Sequence, residues 1–196
     1  MLILIDNKKL DEAEKDLEMK VYQLLTPLTR YRRVRDEMFA IDNGAFSGFN
    51  EKAFTALLKR EYEFKDKCKF VCCPDVVGDC HKTLKLFNEW SAKLKEWPLA
   101  FVAQDGQEID SVPWDEIKAL FIGGSTRFKL SSQVEKLIKS AKDRGKWVHV
   151  GRVNSPERFN WFESLGADSC DGTGLARYSH MRKAIAKRNY QKRIFD

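Results

Sequence analysis

The chain has 196 residues, of which 43% are hydrophobic, and its 35 lysines and arginines against 29 acidic residues give a net charge of +6. This length predicts a single domain over residues 1–196, since domains usually contain about 100–200 residues. No apolar run approaches the roughly 20 residues that cross a bilayer, and the first apolar segment lacks the basic flank of a signal peptide. We therefore expect a cytoplasmic protein without a membrane segment.

Short apolar segments rich in β-branched residues recur along the chain and predict strands. These segments are Leu2–Ile5, Met38–Ile41, Lys69–Cys73, Leu99–Ala103, Ala119–Ile122, Lys146–Val150 and Ala167–Cys170. Helical patterns lie between most of them. Such an alternation predicts a parallel sheet that is covered by helices.

The helical patterns carry recognisable start and stop signals. The first helical pattern is an apolar stripe with three- and four-residue spacing, which predicts one amphipathic helix. Its members are Leu10, Ala13, Leu17, Val21 and Leu24. Asn50 is a suitable N-cap for the next helix, and Ser132 begins a capping-box sequence. Ser155 and Pro156 predict the start of a later helix, which Gly166 ends.

Two architectures fit this alternation, an open doubly wound sheet and a small (β/α)8 barrel. No G-x-G-x-x-G turn follows the first predicted strand, which weakens the dinucleotide-binding form of the open sheet. Polar or glycine residues follow nearly every later strand instead. They are Asp42, Asp75, Gln104, Gly123, Gly124, Gly151, Arg152 and Asp171. A barrel places its site on the carboxyl ends of all its strands, and we therefore predict a compact α/β TIM-type barrel.

The chain is short for such a barrel, which typically has about 250 residues. The prediction therefore allows for a missing or degenerate unit.

The five cysteines are odd in number, and Cys72 and Cys73 are adjacent in an apolar run. Nothing resembles a secreted disulfide framework, so we expect reduced and partly buried thiols. Cys68, Cys80 and His81 lie near this pair in the sequence. The spacing matches no two-by-two zinc knuckle, and we expect no metal site.

Two clusters of basic residues indicate contact with a nucleic-acid backbone. The first surrounds Tyr31, and the second lies in a predicted C-terminal helix over about residues 179–193. The residues we assign to this contact are Arg30, Arg32, Arg33, Arg35, Arg182, Lys183, Lys187 and Arg188. A charge run is usually a solvated helix face, but two runs on a basic protein favour phosphate neutralisation.

The strand-end residues suggest chemistry only when they are taken together. Each segment alone reads as turn sequence. Several carboxylates that converge in one barrel mouth can divide into a nucleophile and a general acid/base, as glycosyl transfer requires. A Gly-Gly pair beside Gln104 lets a flat heterocycle approach the backbone. His149 lies within a strand, where a structural role and a catalytic role are both open.

Six segments in a fixed order resemble the tRNA-guanine transglycosylase superfamily, and most of all the bacteriophage 7-deazaguanine DNA-modification transglycosylases. These segments are 42–46 (DNGAF), 74–75 (PD), 104–106 (QDG), 123–124 (GG), 149–155 (HVGRVNS) and 168–173 (DSCDGT). The resemblance covers about residues 26–177 and implies a (β/α)8 barrel.

The resemblance also implies a role for each matching residue. Asp171 corresponds to the nucleophile that attacks the sugar C1′, and Asp42 to the general acid/base. The residues implied to bind the base are Asn43, Asp75, Gln104, Gly123 and Gly124, and the supporting residues are His149, Gly151, Arg152 and Arg177. The tRNA enzymes carry a zinc site of three cysteines and a histidine beyond the nucleophile. No cysteine follows Cys170 here, which favours DNA as the substrate.

The expected activity is the exchange of guanine in DNA for a free 7-deazaguanine such as preQ0, through a covalent aspartyl-glycosyl intermediate. The expected partners are DNA and the free base, with room for an accessory protein and with no cofactor. Base exchange on tRNA or free nucleosides, hydrolytic base excision, and a non-catalytic nucleic-acid-binding protein remain as alternatives.

Overall fold

Eight parallel strands form a closed barrel in which each strand pairs with the next and the last pairs with the first. The computed structural model describes residues 1–28 and 32–195, with side chains up to Lys187. The strands are β1 (Leu2–Ile5), β2 (Val21–Leu25), β3 (Phe39–Ile41), β4 (Cys68–Cys72), β5 (Leu99–Ala103), β6 (Ala119–Ile122), β7 (Trp147–Val150) and β8 (Ser169–Asp171). The predicted α/β TIM-type barrel is confirmed.

The helices lie between the strands and after the last one. They are α1 (Leu10–Leu17), α2 (Glu51–Glu61), α3 (Cys80–Trp90), α4 (Thr126–Lys129), α5 (Ser132–Asp143), α6 (Pro156–Ser164), α7 (Thr173–Arg177) and α8 (Ser179–Phe195). Asn50 and Ser155 cap α2 and α6 as predicted, through hydrogen bonds that their side chains accept from backbone N–H groups. The cap of α5 is Ser131 and not Ser132, because the Ser131 hydroxyl accepts from the N–H of Val134. None of the helices in the described part of the chain is long and apolar enough to cross a bilayer.

The prediction of one helix from Leu10 to Leu24 is wrong. Helix α1 ends at Leu17, and Glu18 adopts a left-handed conformation with φ 54°. The chain then turns into β2, in which Leu24 faces the barrel interior while Val21 packs in the outer core. A spacing of three residues fits a helix and also joins opposite faces of a strand, so the pattern did not separate the two. Strand β2 completes the barrel of eight strands, of which the sequence predicted the other seven.

In the part of the chain that the structure describes, two of the strand connections contain no full helix, which explains how a closed barrel fits in a short chain. Between β5 and β6 the described secondary structure is a 3-10 turn at Ile109–Ser111. The described part of the β2–β3 connection contains no helix, and Gln23 on β2 binds this segment directly. Its side chain is buried, accepts from the N–H of Val34 at 2.9 Å and donates to the carbonyl of Arg32 at 2.9 Å. The barrel is therefore complete in strands and degenerate in helices.

Alternate strand residues fill the barrel interior, and the remaining residues pack against the helices. The interior cluster consists of Leu4, Leu24, Ala40, Phe70, Cys72, Ala100, Val102, Ala119 and Phe121. The His149 ring lies in this interior, 5.0 Å from the centre of the Phe70 ring and 4.8 Å from that of Phe121. A polar ring held in an apolar interior needs partners for both nitrogens, and those partners belong to the candidate site.

All five cysteines are buried and free. Among the described residues, no group of three or more His, Cys, Asp or Glu side chains is placed to hold a metal ion. Cys72 and Cys73 are neighbours on β4 and its end, and burial raises the pKa of the Cys73 thiol to about 12. These thiols are packing residues at neutral pH.

Arg182 was predicted to contact a nucleic-acid backbone, and the structure contradicts this. Its side chain is fully buried between α8 and α1, where Nε donates to Asp16 at 2.9 Å and a terminal nitrogen donates to Glu12 at 2.8 Å. Another terminal nitrogen donates to the carbonyl of Leu175 at 3.0 Å. Arg182 therefore fastens the last helix to the first one and is not available to a phosphate.

Arg182→Met is expected to lower the free energy of unfolding by about 2 kcal/mol, because the substitution leaves the buried carbonyl of Leu175 without its donor and removes the ion pairs with Asp16 and Glu12. Urea unfolding measures this loss. Lys187→Met on the exposed part of the same helix is the matched control and should change stability by less than about 0.5 kcal/mol. Equal stabilities of the two variants would contradict a structural role for Arg182.

The described arginines of the first basic cluster also lie away from the carboxyl ends of the strands. Arg35 donates to Glu14 at 2.7 Å, and Glu14 in turn accepts from the first backbone N–H of β2. The guanidinium of Arg33 lies 5.7 Å from the centre of the ring of Phe39, the first residue of β3. Both side chains are thus at the amino ends of the strands, on the side of the barrel opposite Asp42 and Asp171, and their contact with a nucleic-acid backbone stays a prediction.

The other predicted backbone contacts have mixed outcomes. Arg32 is exposed beside the outer face of β2, and Lys183 and Lys187 are exposed on α8. Lys183 also pairs with Asp16 at 3.6 Å. Arg30 and the side chain of Arg188 lie outside the described residues.

Candidate active site at the carboxyl ends of the strands

Two adjoining cavities open at the carboxyl ends of the strands. The first, which we call the inner cavity, comprises about 470 Å³ of empty space, part of which is open to solvent. It is lined by Asp42, Asn43, Phe46, Cys72, Asp75, Val77, Val102, Gln104, Phe121, Gly123, Gly124, Gly151, Arg152 and Asp171. Nine of the eleven residues predicted for catalysis, base binding or support are in this lining. The structure therefore brings together residues that are up to 129 positions apart, from Asp42 to Asp171.

The second cavity, which we call the outer cavity, comprises about 1040 Å³ of empty space, part of which is open to solvent. It is lined by Leu4, Asp6, Leu24, Thr26, Leu28, Asp42, Gly44, Phe46, Ser47, Arg152, Asp171, Gly172, Thr173 and Arg177. Asp42, Phe46, Arg152 and Asp171 line both cavities. The two catalytic candidates, Asp42 and Asp171, thus stand where the cavities meet.

Asp75 forms the polar wall of the inner cavity, with both oxygens held by amides. Asn43 Nδ2 donates to Oδ1 at 2.8 Å, and Gln104 Nε2 donates to Oδ2 at 2.6 Å. Asn43 also donates to the carbonyl of Cys73 at 2.7 Å, and Gln104 accepts from the N–H of Gly78 at 2.9 Å. Burial raises the pKa of Asp75 to about 6, although these two amide hydrogen bonds act to lower it. At neutral pH this carboxylate is ionised, oriented and mostly desolvated.

Asp42 lies just past β3, and its environment favours the protonated form. Burial raises its pKa to about 7. The N–H of Gly44, which donates to Oδ1 at 2.9 Å, opposes this shift, and the charges of Asp171 and Asp75 add to it. A carboxyl group that is close to half protonated at neutral pH can donate a proton and take it back.

Asp171, the last residue of β8, is held by one hydrogen bond on each oxygen. Oδ1 accepts from the backbone N–H of Arg152 at 3.1 Å, and Oδ2 lies 3.0 Å from His149 Nε2. Because an ionised carboxylate only accepts hydrogen bonds, the Nε2 atom must carry the proton. His149 Nδ1 then accepts from the Ser169 hydroxyl at 2.8 Å, and that hydroxyl accepts from the indole N–H of Trp147 at 2.8 Å. His149 is thus a buried group that orients Asp171.

At two glycines of the inner cavity, the absence of a side chain leaves space for a bound molecule. A Cβ atom on Gly123 would lie 2.8 Å from Gln104 Nε2 and 2.9 Å from the Val102 side chain. A Cβ on Gly151 would lie 2.7 Å from the Phe121 ring. Side chains at these positions would push the amide and the ring into the cavity, so glycine keeps the space flat and open.

Arg152 crosses the top of the inner cavity. It is a non-glycine residue with φ 59°, a conformation that costs of order 1 kcal/mol or more and that clusters at functional sites. Its guanidinium donates to the carbonyl of Gly124 at 2.5 Å and lies 4.2 Å from the centre of the Phe46 ring. Phe46 itself is 66% exposed, which leaves most of the ring available to a bound molecule. Arg177, the remaining supporting candidate, lines the outer cavity.

Three residues of this site were not predicted from the sequence. Asp6 follows β1 in the outer cavity, and burial together with the charge of Asp171 raises its pKa. Phe46 was read only as part of a motif. Lys129 at the end of α4 is buried, and burial followed by the charge of Arg152 lowers its pKa to about 8. The position of Asp6 after the first strand was a usable signal, whereas nothing in the sequence marked Lys129.

No protein-family model matches the chain, and no curated protein sequence matches it. Several solved structures resemble its fold. The 3-hexulose-6-phosphate synthase from Salmonella typhimurium has 13% identity and a TM-score of 0.56, over 97% of this chain and 98% of that one. Dihydrodipicolinate synthase from Bacillus clausii has 8% identity and a TM-score of 0.57, over 100% and 76%. Phosphoribosyl anthranilate isomerase from Thermus thermophilus has 12% identity and a TM-score of 0.52, over 97% and 98%.

These comparisons contradict the assignment to the tRNA-guanine transglycosylase superfamily. None of the neighbours named above is such an enzyme, and no family model supports the motifs on which the assignment rested. The assignment is therefore wrong. Similarity at this level of identity shows the fold alone, and the fold is that of a TIM-type barrel.

Proposed function

We propose that this protein is an enzyme that exchanges guanine in DNA for a free 7-deazaguanine of the preQ0 type. The observation that carries the proposal is the position of Asp42 and Asp171 on the shared border of the two cavities. A nucleotide bound across this border places its base on one side and its sugar on the other, with the glycosidic bond next to both carboxyl groups. The structural neighbours are enzymes by name, which supports an enzyme but no particular reaction.

The inner cavity suits a guanine-type base. Cys72, Val102 and Phe121 give it apolar surfaces, against which a flat heterocycle can pack. The ionised Asp75 presents two acceptor oxygens, which match the N1–H and 2-amino donors of guanine and 7-deazaguanine. Adenine has an acceptor at N1 and would meet Asp75 with a repulsive contact, so the same wall discriminates against it.

The outer cavity suits a sugar and its phosphates. Ser47 and Thr173 contribute hydroxyl groups, and Arg152 and Arg177 contribute positive charge. Charge-assisted hydrogen bonds from arginine are the usual protein contacts to phosphate. The nucleotide must leave its helical stack to reach this position, at a cost of a few kcal/mol.

The two carboxyl groups divide the chemistry. An Asp171 oxygen attacks the sugar C1′, the bond from C1′ to N9 breaks, and the departing guanine takes the proton of Asp42. The incoming base then gives its N9 proton to Asp42 and attacks C1′, and the bond from C1′ to Asp171 breaks. The two inversions retain the configuration at C1′, and both carboxyl groups return to their initial states.

Labelled preQ0 incubated with the protein and double- or single-stranded DNA tests the proposal, with tRNA and free guanosine as parallel arms. We expect label in DNA and release of an equal amount of guanine. Label in tRNA or nucleoside alone would identify a different carrier and overturn the DNA assignment. Abasic sites without label would show that water intercepts the intermediate, and binding without turnover would overturn the catalytic proposal altogether.

A further inference from the structure

Lys129 is a buried cation that the proposed reaction does not use directly. It is the last residue of α4, its exposed fraction is 5%, and its Nζ donates to the carbonyl oxygen of Gly151 at 2.7 Å. A buried ammonium group is costly to keep in a fold, so the hydrogen bond from Lys129 to the Gly151 carbonyl points to a specific use.

The carbonyl of Gly151 and the N–H of Arg152 belong to the same peptide group. The carbonyl accepts from Lys129, while the N–H on the opposite side donates to Asp171 Oδ1 at 3.1 Å. A single planar peptide group thus connects the ammonium of Lys129 to the carboxylate of Asp171, the proposed nucleophile.

The backbone conformation at this peptide is not one that a non-glycine residue prefers. Arg152 has φ 59°, which is unfavourable for a side chain of its size. A rotation of the peptide about its flanking bonds would direct the Gly151 carbonyl toward Asp171 and remove the N–H from it. Two oxygens with partial or full negative charge would then face each other and push the carboxylate out of position.

We propose that Lys129 is a positioning residue that locks the Gly151–Arg152 peptide with its N–H on Asp171. This inference rests on the proposed function only for the role of Asp171 as nucleophile. The lock fixes the carboxylate from one side, and His149 fixes it from the other. The ammonium charge also polarises the peptide and strengthens the N–H as a donor.

The charged groups around Lys129 determine the pH at which its ammonium group loses its proton. Burial, together with the charges of Arg152 and Arg158, lowers the pKa of Lys129 to about 8. The carboxylates of Asp171 and Asp105 act in the opposite direction. Above this pH the amine still donates a hydrogen bond, but the polarisation of the peptide is lost.

The direct test is a titration of the wild-type protein by ¹H–¹⁵N NMR, which requires no turnover. We expect the Arg152 amide proton to move upfield between pH 7 and pH 9, and to occupy the upfield position at all pH values in Lys129→Met. An Arg152 amide that is unaffected by pH and by the substitution would overturn the lock. If the wild type exchanges no base on any substrate, the proposed function fails, and this measurement still decides the inference.

The kinetic test compares Lys129→Met with Lys129→Arg and with Lys139→Met, a control on the exposed face of α5. In Lys129→Met we expect kcat to fall about 10- to 100-fold, as displaced catalytic groups do, with KM for the free base within about threefold of wild type. Lys129→Arg should recover part of kcat. A purely structural role would give equal losses in both Lys129 variants, and that result, or an unchanged kcat in Lys129→Met, would contradict the inference.

Discussion

Asp171→Asn is expected to abolish base exchange, with a loss of about 10⁴-fold or more, as for other variants that remove a covalent nucleophile. The carboxamide oxygen can still accept from the N–H of Arg152, and its NH2 group can donate to Nε2 of His149 once that ring takes its other tautomer, so the fold around the site is retained. The neutral carboxamide, however, cannot form the bond to C1′. Rapid-quench assays of label transfer measure the loss, and denaturing gels of the reaction mixture should show a protein–DNA adduct in the wild type alone.

Asp143→Asn is the matched control for this substitution, because Asp143 is an exposed carboxylate at the end of α5. Its exchange rate should stay within about twofold of wild type, as is usual for surface changes that leave packing intact. Residual exchange in Asp171→Asn above about 1% of the wild-type rate would assign the attack to another group, since loss of a covalent nucleophile removes far more activity than that.

The strand-end residues were predictable because a parallel barrel brings the carboxyl ends of all its strands to one face. Asp42, Asp75 and Gln104 follow three different strands, and they meet in one cavity for this reason alone. No detailed contact was needed for that prediction. The hydrogen bonds that tie Asp75 to Asn43 and Gln104, in contrast, depend on side-chain geometry that the sequence does not reveal.

The roles of the charged residues could not be predicted, because they depend on partners that are distant in sequence. Arg182 belongs to a basic run that has no acidic neighbour, yet it pairs with Asp16 and Glu12, at separations of 166 and 170 residues. Lys129 lies in a four-residue helix, too short to show which side is buried. A charge run indicates composition, and only the packing of the helices decides which members reach solvent.

The family resemblance failed for a related reason. Asp-Asn-Gly, Gln-Asp-Gly and Gly-Gly are short segments that also suit a turn after a strand. A barrel has eight strand ends, each followed by a turn. Segments of this kind are therefore expected after the strands of a barrel, whichever reaction it catalyses. The geometry of Asp42 and Asp171 between two cavities is a more specific observation than the motifs, and the proposed reaction depends on that geometry.

Asp42→Asn is expected to slow exchange by about 10²- to 10⁴-fold, because it removes the proton that the leaving base must receive. Since burial raises the pKa of Asp42 to about 7, the wild-type rate for loss of guanine should decline as the pH rises through 7. The variant should have lost this decline. Single-turnover rates between pH 5 and pH 9 make the comparison, and a wild-type profile that Asp42→Asn merely scales down would assign the proton to another group.

The same substitution should make the folded protein more stable at high pH, which separates the protonation of Asp42 from its part in the reaction. A carboxyl group with a raised pKa holds a proton in the folded state that the unfolded chain releases. Stability is therefore complete below the unfolded pKa of about 4 and falls as the pH rises to about 7, by on the order of 2–4 kcal/mol. Asparagine carries no such penalty.

Urea unfolding at pH 4 and pH 8 should thus show Asp42→Asn equal to wild type at the lower pH and more stable at the higher. Asp75, whose pKa is also raised, is present in both proteins, so the difference reports the proton of Asp42 together with the interaction of its charge with Asp75 and Asp171. Asp42→Asn should exchange slowly and be more stable than wild type only at the pH where Asp42 would be ionised. This pair of results would show that the site holds a buried carboxyl group that lowers the stability of the wild-type fold. Equal stability at both values would mean that Asp42 is ionised and solvated at neutral pH, and it could not then serve as the acid.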